Sequence, residues 1–225
     1  MAQLKLHTVR VWDLPTRLFH WALAVAVAAL FVSGKVGGAA MPWHARFGYA
    51  VASLLLFRLV WGFIGGHWSR FDAFLPRPRA MLRAFKRSAE SAPVVGHNPL
   101  GAVSVIAMLV FLAAQIGTGL FSEDKGEFAG PLSAFVSNAA VKLATGYHKR
   151  IGQFVLIALV GLHLLAIGYY YFGKKDNLVR PMIQGDKELA FEASPSRDDA
   201  AARFKALVVL LACVGIVAWL ASRGG

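Results

Sequence analysis

The sequence predicts an all-α fold, a transmembrane four-helix bundle followed by one additional C-terminal transmembrane helix. Of the 225 residues, 57% are hydrophobic, and the mean hydropathy is +0.54. The apolar residues form long unbroken runs rather than amphipathic stripes, and each run is long enough to cross a bilayer as a helix. Backbone polar groups in lipid must be satisfied within the segment, which requires helices here. The five runs are residues 14–33, 43–65, 100–121, 147–172 and 204–221.

The first run has a recognisable helix start. Asp13 or Leu14 can cap the first turn, and Pro15 fits the first helical position because no hydrogen bond is needed there. Basic residues followed by an apolar run are also the pattern of a cleaved signal peptide. Asp13 and Pro15 at the entrance, and His20 within the run, are unusual for such a peptide, so we expect this segment to be retained.

The chain divides into two predicted domains. Residues 1–187 form the four-helix domain, and residues 188–225 form a polar linker and the fifth helix, which has no histidine. The loop after the second helix contains four prolines, and its basic stretch 79–88 is predicted to lie on the membrane surface. The long loop 122–145 on the opposite side carries three acidic residues between positions 123 and 127.

The formal net charge of +12 is distributed unevenly. Most Lys and Arg residues lie at the N-terminus, in the loop after helix two and in the tract after helix four, which share one side of the membrane if the helices alternate. Positive residues favour the cytoplasmic side. We therefore predict a multi-pass protein of the bacterial inner membrane, with a cytoplasmic N-terminus and a periplasmic C-terminus. The basic excess then reflects topology and attraction to anionic lipid, and it does not indicate a nucleic-acid partner.

Four histidines are the candidate metal ligands. His148 and His163 lie on the fourth run, about 22 Å apart at about 1.5 Å per residue, and ionisable side chains at such depth are usually functional. His20, near the inner end of helix one, matches the depth of His163, and His44, at the outer end of helix two, matches His148. Each pair bridges two helices, as cofactor sites in bundles do. A haem iron takes one imidazole on each face of its ring, so the sequence predicts two non-covalent haem b groups with bis-histidine ligation.

Small and basic residues accompany these histidines. Gly48 and Gly152 follow His44 and His148 by four residues and share their helix faces, where the absence of a side chain leaves room for a flat ring. An arginine buried in a span needs an anionic partner, which a haem propionate supplies. The candidate propionate partners are Arg58 and Arg17 for the inner pair, and Arg46, Lys149 and Arg150 for the outer pair.

The sequence leaves several alternatives open for these histidines. His67, after the glycines that end helix two, competes as an inner ligand or lies at the membrane interface near a quinone head group. A histidine in a membrane helix can also donate an interhelical hydrogen bond or relay protons in a haem-free transporter. Zinc is disfavoured because its sites gather several ligands at one point. Cys213 is the only cysteine and no haem-attachment motif is present, which excludes a covalent c-type haem.

Several stretches together resemble the bacterial cytochrome b561 family, which includes the cytochrome b subunits of nickel–iron hydrogenases. They are VWDLPTRLFHW, PWHARFGY with LFRLVWGFIG, GHNPLGA, TGLF, and GYHKRIGQF with GLHLLAI and KKDNLVRPMI, and they fall within residues 11–187. The resemblance implies a four-helix bundle with two b-type haems ligated from helices one, two and four. Carried over residue by residue, the ligands fall on His20, His44, His148 and His163. The fifth helix lies outside the shared part.

The predicted function is electron relay between the quinone pool and a periplasmic redox protein such as a c-type cytochrome, since haems with two histidine ligands leave no position for oxygen. The acidic residues 123–127 are the predicted docking site for that partner. The first alternative is the cytochrome b anchor subunit of a hydrogenase or dehydrogenase complex, and the second is the haem-free transporter. The sequence shows no chemistry beyond electron transfer. It leaves open the direction of electron flow, the identity of the redox partner, quinol oxidoreductase activity and the oligomeric state, with a homodimer among the options.

Overall fold

Five helices long and apolar enough to cross a membrane are present in the computed structural model, which describes residues 6–75, 95–124 and 128–224. They confirm the predicted all-α transmembrane fold class. Many of their apolar side chains are exposed, including Val25 at 68% and Leu165 at 71%, and such surfaces are stable against lipid tails rather than water. The spans are Leu14–Val36, Gly38–Ile64, Pro99–Leu120, Asn138–Phe172 and Ala200–Ala221.

The described residues form helices, four short strands and several single turns. The helices are α1 (Leu14–Val36), α2 (Met41–Ile64), α3 (Phe71–Phe74), α4 (Pro99–Leu120), α5 (Asn138–Gly146), α6 (Gln153–Phe172), α7 (Val179–Gln184) and α8 (Ala200–Ala221). The strands are β1 (His7–Arg10), β2 (Glu123–Asp124), β3 (Phe128–Ala129) and β4 (Asp186–Leu189). The 3-10 turns are Gly38–Ala40, His67–Ser69, Ser133–Phe135 and Ser222–Gly224. The predicted surface stretch 79–88 lies outside the described residues.

The fourth span is longer than its apolar run predicts. It begins at Asn138 rather than at Tyr147, because Ser137 caps α5 by accepting a hydrogen bond from the Ala140 N–H group at 3.3 Å. Hydropathy misses α5 since its sequence NAAVKLATG is small and polar rather than continuously apolar. A π-helical turn, Tyr147–Gly152, joins α5 to α6. Single π-helical turns are rare and often lie at functional sites.

Two small antiparallel sheets accompany the helices. Strand β1 pairs with β4, with His7 opposite Leu189 and Arg10 opposite Asp186. Strands β2 and β3 form a hairpin after α4. Strands of two to four residues are too short to leave an alternating pattern in the sequence, which explains why none was predicted. The predicted domain boundary between residues 187 and 188 falls inside β4 and stays a prediction.

The chain forms two compact units, each assembled from three stretches. The first contains Met1–Leu18, Leu59–Ile106 and Leu162–Leu207, and the second contains Phe19–Arg58, Ala107–Gly161 and Val208–Gly225. The core of the first unit is built around β1, β4 and Trp12. The core of the second unit contains one buried residue from each of α1, α2, α4 and α6, namely Ala26, Val51, Leu112 and Leu156.

Asp13 ties the start of α1 to the end of α2 within the first unit. Its carboxylate is fully buried and accepts the Thr16 N–H group at 2.8 Å, as the predicted capping residue should. It also accepts the Gly66 N–H group at 2.8 Å and the indole N–H group of Trp61 at 3.3 Å. The carboxylate therefore satisfies backbone donors from two helix ends at once.

The polar tract before α8 binds the same helix start. Asp198 accepts the Leu14 N–H group at 3.0 Å, the Arg10 guanidinium at 2.7 Å and the Arg203 guanidinium at 3.1 Å. Ser196 donates its hydroxyl to the Val11 carbonyl oxygen at 2.7 Å. Burial acts to raise the pKa of Asp198, but hydrogen bonds from Arg203, Leu14 and Arg10 outweigh it and hold that pKa below the usual range.

Candidate functional site

The structure brings the predicted outer histidines together. His44 lies in the first turn of α2, and His148 lies in the π-helical turn of the fourth span. Their ring centroids are 6.1 Å apart, and their ring planes make an angle of 88°. Both residues belong to the second unit, so the pair is a site within one compact unit.

The Nδ1 atom of each imidazole is held by a backbone carbonyl. His44 Nδ1 donates to the Leu30 carbonyl oxygen at 3.1 Å and lies 3.3 Å from the Ser33 hydroxyl. His148 Nδ1 donates to the Gln115 carbonyl oxygen at 2.9 Å. A carbonyl only accepts, so both Nδ1 atoms carry the proton and each Nε2 keeps its lone pair. Histidines that bind metals are usually held in this way.

Both histidines line one cavity of about 420 Å³. Gly48, which was predicted to leave room for a flat ring, also lines it, and a Cβ added there would meet no atom within 4 Å. The cavity is therefore open and mostly apolar beside the two imidazoles. Its apolar wall includes Val27, Leu30, Phe31, Leu112, Ile116 and Leu156.

The paired imidazoles fit a metal held between them. A bond from a metal to an imidazole nitrogen is about 2 Å long, so two imidazoles on opposite sides of one ion have ring centroids about 6 Å apart. The observed separation is 6.1 Å. The two imidazoles, each with an Nε2 lone pair not used by the protein, and the apolar cavity beside them are residues that would hold a haem.

Two glycines on neighbouring helices allow the imidazoles to lie where they do. A Cβ added at Gly119 on α4 would lie 2.9 Å from His148 Cε1, and one added at Gly34 on α1 would lie 3.1 Å from His44 Cε1. Gly152 was predicted to leave room for a flat ring, but in the structure its neighbour is Gln115. A Cβ added at Gly152 would overlap the Gln115 side-chain amide. Its direct contact with a cofactor stays a prediction.

The basic residues predicted at the outer pair have different surroundings. The Lys149 ammonium forms an ion pair with the Asp124 carboxylate at 2.7 Å, and both residues line the cavity. The Arg46 guanidinium lies over the Trp43 ring, 4.7 Å from its centroid. Arg150 is exposed. Of the predicted acidic docking residues, Asp124 is thus already paired, and position 127 lies outside the described residues.

The predicted inner ligands belong to different units. His20 lies on α1 in the second unit, and His163 lies on α6 in the first. Both are half-buried. Arg58 on α2 is buried, with 4% of its surface exposed, as expected for a basic residue deep in a span. The pairing of His20 with His163 and the role of Arg58 stay predictions.

Two other predicted residues have protein partners in the first unit. The Arg17 guanidinium donates to the Ile183 carbonyl oxygen at 2.6 Å. His67 lies beyond the end of α2, is exposed, and has its Nδ1 atom 3.4 Å from the Arg70 guanidinium. The structure therefore places His67 outside the span, and its service as a ligand stays a prediction.

Sequence reasoning missed the residues that reach the outer pair from other helices. Gln115 is a polar residue inside a strongly apolar span, a signal that marks functional positions in membranes. Gly119 lies in the TGLF stretch that the family resemblance already used. Lys35, which lines the cavity, carried no signal beyond its charge, and Glu123, predicted as a docking residue, lines the cavity as well.

Comparisons with known proteins point in one direction. A family model described as "Prokaryotic cytochrome b561" matches residues 11–185. A protein of Bradyrhizobium diazoefficiens is 26% identical over 216 residues, which cover 80% of this chain and 86% of the relative. A protein of Cupriavidus necator is 26% identical over 210 residues, covering 78% of this chain and 85% of the relative. Both are named "Probable Ni/Fe-hydrogenase B-type cytochrome subunit". No solved structure matches the chain.

Proposed function

This chain belongs to the prokaryotic cytochrome b561 family, and on that premise we propose that it is the haem-bearing membrane subunit of a larger redox complex of the hydrogenase type. The family and the helices make it a multi-pass membrane protein that binds haem b and takes part in electron transport. The names of the relatives favour the complex over a free-standing relay between quinone and a c-type cytochrome. Their being cytochromes also disfavours the haem-free transporter.

The outer haem is held by His44 and His148 in this proposal. The observation that carries it is the pair of protonated Nδ1 atoms on backbone carbonyls, with two Nε2 lone pairs beside one cavity. The backbone carbonyls fix the tautomer and limit rotation of each imidazole. The inner haem is assigned to His20 and His163, an assignment that rests on their depth in the sequence and on the family resemblance.

The remaining residues of the outer site exclude water and balance charge. Haem b, when bound, supplies a one-electron couple whose potential depends on its ligands and surroundings. The apolar wall formed by residues such as Leu112 and Leu156 keeps water from the imidazoles. Lys35 places positive charge at the cavity lining, where propionates need it, whereas Lys149 is already paired there with Asp124. Because two histidines are assigned to each haem, the residues that would hold it support relay of single electrons rather than binding of oxygen.

The proposed location is the bacterial inner membrane, with the N-terminus in the cytoplasm and the C-terminus in the periplasm. The support is the concentration of basic residues in the segments that follow α2 and α6. The His44 and His148 site then lies near the periplasmic surface, within reach of a periplasmic redox subunit. Quinone is the proposed second reaction partner, as the sequence predicted.

Haem content tests the ligand assignment. The purified protein should contain two haems per chain and show b-type bands in a reduced-minus-oxidised spectrum. His148→Ala and His44→Ala should each remove the same one haem, whereas His163→Ala should remove the other. His67→Ala is the matched control and should retain both. Two haems in His148→Ala, or one haem in the unmodified protein, would contradict the assignment.

Reduction by hydrogen tests the proposed partner. Membranes of the native host, given H2, should reduce the b-type haem of this chain. Membranes lacking the chain should lose hydrogen-dependent reduction of their quinone pool. If the haem is reduced by quinol but not by hydrogen, the partner is not a hydrogenase, and the quinone-to-cytochrome relay is the better description.

A further inference from the structure

Gln115 contacts His148 at two points from a neighbouring helix. Its backbone carbonyl oxygen accepts the His148 Nδ1–H group at 2.9 Å. Its side-chain Nε2 atom donates to the His148 carbonyl oxygen at 3.0 Å. One residue of α4 therefore holds both the ring and the main chain of one residue in the fourth span.

The second contact falls in the π-helical turn. That turn, Tyr147–Gly152, is the widened segment of the fourth span. The Gln115 amide lies against Gly152 so closely that any side chain at position 152 would overlap it. Gly152 is itself buried. The turn and the amide are thus packed together, and the shape of one depends on the presence of the other.

A polar side chain in this position is costly unless it has a specific task. Gln115 lies in a span with a mean hydropathy of 2.2, where an amide without partners is unfavourable. Leucine or methionine, which have a similar volume, would fill the same space without the free-energy cost of burying an amide. The hydrogen bond to the His148 carbonyl is the feature that only an amide supplies here.

We propose that Gln115 is the positioning residue of the outer haem site, setting the orientation and basicity of the His148 imidazole. The inference rests on the proposed function, because it concerns a histidine assigned there as a haem ligand. The side-chain amide holds the π-helical turn so that Nδ1–H points at the Gln115 carbonyl. That hydrogen bond makes the imidazole a stronger electron donor, which favours the oxidised metal and lowers the reduction potential.

Redox titration of Gln115→Leu tests the proposal. The substitution keeps the volume and the backbone carbonyl but removes the amide, so the Nδ1–H bond should weaken. The outer haem should then titrate at a higher potential and change its low-spin ferric EPR signal. The affinity of the protein for the outer haem should fall about tenfold, as metal affinity does when residues that support a metal ligand are replaced. The inner haem should be unchanged in both measurements and reports that the protein is folded.

Two further variants separate positioning from packing. Ser53→Ala is the matched control: it removes a side-chain hydrogen bond to the Tyr49 carbonyl oxygen on α2, in the same unit, and should leave both potentials unchanged. Gly152→Ala puts a methyl group against the Gln115 amide and the Tyr147 ring without changing Gln115, so it should raise the outer potential in the same direction. If Gln115→Leu does not accumulate, Gly152→Ala decides the matter.

An unchanged outer potential and EPR signal in Gln115→Leu, or in Gly152→Ala where that variant decides, would overturn the proposal. An equal shift in Ser53→Ala would overturn it as well, since the effect would then follow from the loss of any side-chain hydrogen bond in this unit. Failure of the proposed function looks different, because His148→Ala would then retain both haems. The two failures are therefore distinguished by one additional variant.

Discussion

Asp13 in the first unit and the outer histidines in the second are both polar groups away from water, but they are satisfied to different degrees. Both oxygens of Asp13 accept backbone N–H groups, and the Trp61 indole adds a further donor. His44 and His148 each have one ring nitrogen bound to the protein and keep the other for a cavity. A group saturated by its own protein stabilises the fold, whereas one with unused capacity beside a cavity is prepared for a ligand.

The largest effect is expected from Asp13→Ala. Two backbone donors and the Trp61 indole would lose their acceptor, at a cost of about 3 kcal/mol or more in the free energy of unfolding. Thermal unfolding of the detergent-solubilised protein measures it. Asp72→Ala removes an exposed carboxylate paired with Arg70 and should cost little. If Asp13→Ala kept its stability but shifted the haem potentials, the division between structural and ligand-binding groups would be wrong.

Gly119→Ala should affect the outer site more than the fold. The added methyl would lie 2.9 Å from His148 Cε1, so the imidazole must move, with a strain of about 1–3 kcal/mol. We expect reduced retention of one haem and an altered spectrum for that haem. Gly117→Ala is the matched control on the same helix, because a Cβ there meets no atom within 4 Å. Equal haem loss in both variants would contradict this explanation.

Asp198→Asn should lower stability by about 1.5 kcal/mol at neutral pH, since hydrogen bonds to a charged group are lost. Its pKa is lower in the folded protein than in the unfolded chain, so its stabilisation is complete above the unfolded value of about 4 and is lost as the pH falls through the folded value. The stability curves of the variant and the unmodified protein should therefore converge in acid. Asp199→Asn, at an exposed neighbour whose pKa is lowered by an Arg197 hydrogen bond, should have a smaller effect.

The smallest effect is expected from Ser33→Ala. The Leu30 carbonyl still holds His44 Nδ1 at 3.1 Å, so only about 0.5–1 kcal/mol of stability should be lost. The outer haem should remain bound with a slightly shifted potential. Ser133→Ala removes a comparable hydroxyl that bonds the Gly130 carbonyl oxygen, outside the cavity lining, and it should lower stability without moving the potential. A loss of haem in Ser33→Ala would show that the serine, rather than the carbonyl, fixes the tautomer.

The sequence was enough to predict the spans and the depths of the histidines, because both follow from distance along a helix. The positions of His44 and His148 in their runs were enough to expect them at one level. The sequence could not show which residues surround the rings, because helix rotation decides that. Gln115, Gly34 and Gly119 lie on helices other than those of the histidines they contact. The start of the fourth span was also missed, because a capping serine rather than apolar content determines it.

The pairing of β1 with β4 has a consequence for the order in which the protein is made. Because synthesis proceeds from the N-terminus, β1 leaves the ribosome long before its partner, whose last paired residue is Leu189. The Leu14 N–H group likewise gains its acceptor only when Asp198 has been synthesised. Contacts between residues so distant in the chain form slowly, because a long loop must close first. The N-terminal segment therefore reaches its final pairing only after the chain has been made as far as Leu189, beyond the end of the fourth span.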